Sequence, residues 1–465
     1  MQADNMVSDV DPRFEDAEKL NELSRRGFFN RMIGGTAAGA ALLSLGSKAF
    51  AAAPADLSTM PRGAAPDDEA YWEKVADQFI LHAGLAYMNT GTKGPSPIGV
   101  HQAQSDALKG VNSDYKRYSS GVYNRDFQDN LKNKMAEFVG AMPDEVAFTN
   151  NTTEGMVFGT MGLDLKRGDE IVCTNHDHVG GVNPILQRAA REGLEVKIID
   201  LSDPKYHPPN SPDVLLKAFE AGISSKTKLL SFCHINYTDG GVMPVKEICE
   251  MAHSRGIVTL VDGAQPPGML KVDMKDLGCD MYAGPCHKWM LASMYTGFLY
   301  IKQDIIDRVS PYIYTGPTNG KNMYGDLSPI AVEYYDKALK TAGKFEMRMS
   351  GNIPGRTSID AAIDFHNHLT RESVEARDRY LARYLMEGLR TIDGVKLYVS
   401  EDPRLSCALV SFTVKDIPTS KVNNYLWNRS IYIRSVVHKE INWDVNRASM
   451  HVMVRKSQVD NLLDG

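Results

Sequence analysis

Two short stretches, "VTLVDGAQPPG" and "MYAGPCHKWM", carry Asp262, Gln265, His287 and Lys288. In each, the polar groups follow an apolar run, which puts them at the end of a buried strand. "CTNHDHVGG" adds His178 after another such run, and "FTNNTTEGM" adds Thr152 and Thr153 where a strand turns into a helix. In an open α/β sheet, ligands bind beyond the carboxyl ends of the strands. A carboxylate, an amide, two imidazoles, two hydroxyls and an amine would therefore share one crevice. Taken singly, each has a plainer role. Asp262 could cap the next turn, Lys288 could snorkel to the surface, and His178 could be a hydrogen-bonded structural histidine.

Taken together, the set meets the needs of pyridoxal 5′-phosphate. The aldehyde needs a lysine amine, here Lys288. The pyridine nitrogen needs a carboxylate to hold its proton, here Asp262. The phosphate needs N–H groups at a helix N-terminus, here the Thr152–Thr153 turn, which doubles as a capping box in "NTTE". The ring gains from a flat group, here His178. Burial and a nearby cationic ring would lower the Lys288 pKa and leave a nucleophilic amine.

The elements that must position these groups are legible. Seven β-rich runs, at 145–150, 170–175, 195–200, 228–235, 257–262, 281–286 and 297–302, are mostly continuous in apolar character. That pattern predicts strands buried on both faces, as in a parallel sheet. "GGVNPILQRAAREG" and "PVKEICEMAHSRG" have helical spacing and end in Gly. The fold class is thus α/β, a mostly parallel seven-stranded sheet flanked by helices. After about residue 325, "IDAAIDFHNHL", "ARDRYLARYLMEGL" and "KSQVDNLL" predict helices, while "GVKLYVS", "SCALVSFTV" and "ASMHVMV" predict strands. This gives a large domain over 96–325 and a smaller α+β domain over 326–465, to which 52–95 contributes.

The chain has 465 residues, 43% of them hydrophobic, and a net charge of −6. No basic stripe points to nucleic acid. The six cysteines form no CxxC pair and no metal-ligand spacing, so neither a disulfide framework nor a metal site is expected. Residues 1–51 differ from the rest. Arg25 and Arg26 precede "GFFNRM", a Gly/Ala-rich apolar stretch follows, and "KAFAAA" closes it. This order predicts a twin-arginine export signal cleaved near Ala51, and hence an exported, periplasmic protein that meets the twin-arginine translocation machinery. An apolar surface helix that happens to follow two arginines is the alternative.

"VDGAQ" followed by "HKW", with 26 positions from Asp262 to Lys288, resembles the class V aminotransferases of pyridoxal-phosphate fold type I. The resemblance runs from "AYMNTGTKGPSP" to "NRASMHVMV". Among branches, "YMNTGTKGPSP", "HINYTDGGVMPV" and "AGPCHKWM" are most similar to isopenicillin N epimerases. The resemblance implies that Lys288 carries the cofactor as an imine, Asp262 pairs with the pyridine nitrogen and Gln265 reaches the phenolic oxygen. It also implies that His178 stacks on the ring, that Thr152, Thr153 and His287 serve the phosphate, and that Arg447 grips the substrate carboxylate. A guanidinium fork suits that task, although Arg447 could instead be a surface charge on an edge strand. Asn89 and Tyr237 join Arg447 on the substrate side, and a homodimer is expected. Pro285 and Cys286 replace the Ser-Gly of desulfurases, Tyr237 stands where that branch has asparagine, and "RSVVHKEINWD" lacks its catalytic cysteine. Asn236, one position earlier, would point away.

The expected function is Cα-proton chemistry on an α-amino acid or a derivative of one, by an aminotransferase or an epimerase. A C–S or C–N lyase, or a non-catalytic exported binding protein on the same scaffold, is the alternative.

Overall fold

The computed structural model describes residues 59–316, 321–322, 325–326, 328–347 and 351–465. The predicted export segment lies outside the described residues. The seven predicted runs form one sheet: β1 (Val146–Thr149), β2 (Glu170–Thr174), β3 (Glu195–Ile199), β4 (Thr227–Cys233), β5 (Val258–Asp262), β6 (Met281–Pro285) and β7 (Gly297–Ile301). Their order is β1-β7-β6-β5-β4-β2-β3. Strands β6, β5, β4, β2 and β3 pair in parallel, and β7 runs antiparallel to both β1 and β6. Every residue of β1, β2, β5, β6 and β7 is buried. That explains their unbroken apolar character, because both faces are covered. Strand β3 lies at the edge and is mostly exposed.

Helices cover the two faces. Thr152–Gly162 packs across β5, β6 and β7, and Val179–Glu192 lies beside it. Val179–Glu192 ends at Gly193, whose φ of +74° makes the left-handed cap that the sequence predicted. In the second helix the cap is displaced: Val245–His253 ends at Ser254, and the left-handed glycine, Gly256, comes two residues later.

A second, antiparallel sheet comes from the C-terminal part. It contains β8 (Val395–Leu397), β9 (Leu409–Val414), β10 (Arg434–His438) and β11 (Trp443–Ser449), in the order β8-β9-β11-β10. Ala86–Tyr87 pairs in parallel with Ile431–Tyr432. Two sequence expectations need correction here. "ASMHVMV" is not a strand throughout: β11 ends at Ser449, and Met450–Val454 form a buried turn region. A buried turn and a strand both read as apolar runs. β10 itself was not anticipated.

The segment after β6 is held by close backbone contacts. Gly94 N–H donates to the His287 carbonyl at 3.0 Å. A Cβ on Gly94 would lie 2.0 Å from the Lys288 carbonyl oxygen. Gly268, at φ +96°, comes equally near, with its Cβ position 2.3 Å from the Trp289 carbonyl carbon. Gly94→Ala is therefore expected to destabilise the protein by about 1–3 kcal/mol. Gly99→Ala, where a Cβ meets nothing within 4 Å, is expected to be neutral or slightly stabilising. Denaturant unfolding of both variants checks the pair.

Candidate active site

The predicted residues converge beyond the carboxyl ends of β1, β2, β5 and β6. Asp262 is the last residue of β5 and is 5% exposed. One carboxylate oxygen accepts from Ala264 N–H at 2.9 Å. The other faces Gly181, where a Cβ would stand 3.4 Å from it. Lys288 follows β6 and is partly buried. Among the described residues its ammonium makes no hydrogen bond or ion pair. Burial lowers its pKa to about 8, Asp262 opposes that shift, and Arg447 and Arg434 add to it. Burial likewise raises the Asp262 carboxyl, and Lys288 pulls it back.

His178 caps the helix Val179–Glu192 and accepts from Gly180 N–H through Nδ1 at 3.0 Å. A backbone N–H can only donate, so the ring proton sits on Nε2. Loss of solvent, then Lys288 and Arg434, bring its pKa to about 4, so the ring is neutral. Its ring stands near-perpendicular to that of Tyr237, with the centroids 4.9 Å apart. Thr152 and Thr153 open the helix Thr152–Gly162, with Asn151 as its cap through Glu154 N–H. Their hydroxyls have no partner among the described residues. A Cβ on Gly180 would crowd Thr153 Oγ1 to 2.6 Å, so glycine keeps this corner open. His287 donates from Nδ1 to the Thr296 carbonyl at 3.0 Å, which leaves Nε2 for another partner.

Arg447 is 1% exposed, on β11. It donates to the Tyr237 carbonyl and, at 3.4 Å, to Thr92 Oγ1, while its Nε is buried with no partner. Burial and Arg434 pull its pKa down, yet a guanidinium stays charged at neutral pH. Gln265 and Asn89 hydrogen-bond within the protein. The Gln265 amide bonds Gly91 O (3.1 Å) and Trp289 Nε1 (2.8 Å), so it ties the N-terminal loop to the lysine loop. Asn89 is buried and accepts from Thr92 Oγ1 at 2.8 Å, so it aims Thr92. Asn236 turns away, into Cys233 and Asp239, and Tyr237 faces the cleft.

Three groups escaped sequence reasoning. Thr92, inside the quoted "NTGTKG", is the hydroxyl shared by Asn89, Arg447 and Arg434. Arg434 lies on β10, directly opposite Arg447. The third is a brace on the residue after the lysine. The Trp289 carbonyl accepts from His366 Nε2 at 3.1 Å and from His451 Nε2 at 3.0 Å. His451 Nδ1 in turn lies 2.7 Å from Asp378 Oδ2. Burial brings His366 and His451 to about 3 and pushes the Asp378 carboxyl well up. The His451–Asp378 pair is thus neutral, with Asp378 donating.

These observations fit pyridoxal phosphate: an unpartnered amine, an open-sided buried carboxylate, a flat neutral ring, and a helix start with spare donors beside two glycines. The comparisons agree. The profile described as "Aminotransferase class-V" matches residues 94–462. The chain belongs to that family and is a pyridoxal-phosphate protein. Among curated relatives it is 28% identical to a probable cysteine desulfurase of Halalkalibacterium halodurans, over 84% of this chain and 94% of that one. It is 27% identical to an isopenicillin N epimerase of Amycolatopsis lactamdurans, over 84% and 97%. Among solved structures, the apo cysteine desulfurase of Thermococcus onnurineus NA1 shares the fold at a TM-score of 0.72 and 23% identity, covering 87% of this chain and 98% of that one. A cystine C–S lyase in complex with cysteine persulfide does so at 0.70 and 24%, covering 82% and 97%.

The neutral amine is the nucleophile, so capture of Lys288 by an added aldehyde and borohydride is expected to rise with pH and level off above about 8. Asp262 is the group that raises this pKa, so Asp262→Asn is expected to move the profile to lower pH. Peptide mapping of the reduced adduct against pH measures both.

Proposed function

We propose that the protein is an exported enzyme that acts at the Cα of an α-amino acid or amino-acid derivative, with epimerisation the reading best supported and transamination the second. The bound cofactor would supply an aldehyde to hold the substrate amine and an electron sink for the broken Cα bond. The chain's own groups would do the rest. Arg447 would hold the carboxylate, with its orphaned Nε and remaining N–H groups available for two-point contact. Lys288 would take and return the Cα proton at Nζ. Asp262 would hold the proton on the ring nitrogen.

The observation that carries the epimerase reading is Tyr237. Its half-buried ring stands between His178, at 4.9 Å, and His438, at 5.3 Å. That offers a second proton-bearing group to the same cleft, as inversion at Cα needs. Desulfuration is disfavoured, because all six cysteines are buried and burial raises the thiol pKa of each, to about 12 for Cys407. A protonated, enclosed thiol is a poor nucleophile. The export reading rests on Arg25, Arg26 and the apolar stretch after them. A homodimer is part of the same proposal.

Purified protein is expected to show a visible cofactor band that Lys288→Ala removes without unfolding the chain. In deuterated water with no keto acid, a single amino-acid enantiomer is expected to exchange its Cα hydrogen and to racemise. Tyr237→Phe is expected to slow racemisation roughly 100-fold while exchange on the Lys288 face continues. Chiral chromatography and mass spectrometry read the two rates. Exchange without racemisation in the parent protein, together with turnover once a keto acid is added, would establish transamination instead.

A further inference from the structure

Arg434 and Arg447 stand opposite each other on neighbouring antiparallel strands. Both donate to one oxygen, Thr92 Oγ1, at 3.0 Å and 3.4 Å. Their nearest nitrogens are therefore no farther apart than those two bonds laid end to end. Like charges directly across a sheet repel, and Arg434 is the main charge depressing the Arg447 pKa. Among the described residues neither guanidinium has a carboxylate within ion-pair distance.

Arg447 is buried, and three other largely enclosed arginines of this chain are paired with carboxylates. Arg377 meets Glu69 at 2.6 Å, Arg188 meets Glu192 at 2.8 Å, and Arg356 meets Glu346 at 3.3 Å. Arg447, buried without a carboxylate, departs from that pattern, and the exposed Arg434 stands directly beside it. Lys288 makes a third cation nearby, and Asp262 is the carboxylate that faces it. One substrate carboxylate on Arg447 leaves Arg434 unmatched. Arg434 is exposed, whereas Arg447 is buried.

We infer that Arg434 forms a second anion position, so that the preferred substrates carry a negative group on the side chain as well as the α-carboxylate: acidic amino acids, or derivatives that end in a carboxylate or another acid. This inference rests on the amino-acid reading above and narrows its substrate class.

The test uses the holoprotein and two series. Aspartate, glutamate and 2-aminoadipate are compared with alanine, norvaline and leucine through the shift of the visible band. Succinate, glutarate and adipate are compared with butyrate by calorimetry. Acidic amino acids are expected to bind at least about 10-fold tighter than neutral ones, and dicarboxylates tighter than butyrate. Arg434→Gln is expected to shrink the acidic-to-neutral ratio about 10-fold or more, and Arg434→Lys to restore part of it. Equal affinity for acidic and neutral compounds in the parent protein would overturn the inference. So would an Arg434→Gln variant that weakens both classes by one factor, since both arginines would then hold a single carboxylate. A missing visible band would sink the amino-acid reading separately, and the calorimetric series would still report on Arg434.

Discussion

The carbonyl of Trp289 is the point on which the site hangs. Two neutral histidines, His366 and His451, donate to it from different parts of the C-terminal half. The same residue's indole holds Gln265, and Gln265 holds the Gly91 carbonyl. Lys288 is one residue away. A lysine side chain has four rotatable bonds, so its amine can be aimed only if its own backbone is fixed. The brace fixes it from one side, and Gly94 and Gly268 pack against the same segment. Without those anchors the amine would gain freedom, find solvent, and lose the lowered pKa that makes it nucleophilic.

Charge is managed by the same design. The brace is built from groups kept neutral by burial, including the proton-sharing Asp378–His451 pair. An imidazolium so close to Lys288 would depress the amine further and compete for any anion. The positive charge is instead concentrated in Lys288, Arg447 and Arg434, on the side open to ligands. Asp262 offsets part of it.

Much of the large sheet was legible because strands covered on both faces must be apolar throughout, and seven such runs were present. β3 illustrates the limit, since an edge strand has no such requirement and half its residues point to water. The region after Ser449 shows another: Met450–Val454 is as buried as a strand but turns, so that His451 can reach Trp289. Residue type and strand-end position singled out Lys288, Asp262 and His178, and the family resemblance singled out Arg447. Thr92, Arg434 and the histidine brace were not legible. Their meaning comes from partners more than seventy residues away in the chain, and no local pattern encodes such pairings. Gln265 and Asn89 were found by motif, and only geometry separated what they touch from what they aim.

Relatives with this fold include desulfurases, a C–S lyase and epimerases, so the scaffold leaves the reaction open. What narrows it is the set of groups within reach of the substrate's Cα. A desulfurase needs a thiolate that can approach the substrate's sulfur. Here all six cysteines are buried, with burial raising their thiol pKa values, while the cleft wall presents Tyr237 with two imidazoles beside it. A phenol and imidazoles donate and accept protons but do not take up sulfur. With Lys288 they offer two separate proton-carrying groups around one carbon, and the arginine pair restricts which carbon skeletons are held between them. The proposed chemistry is therefore proton transfer at Cα, with the two arginines as the proposed source of specificity.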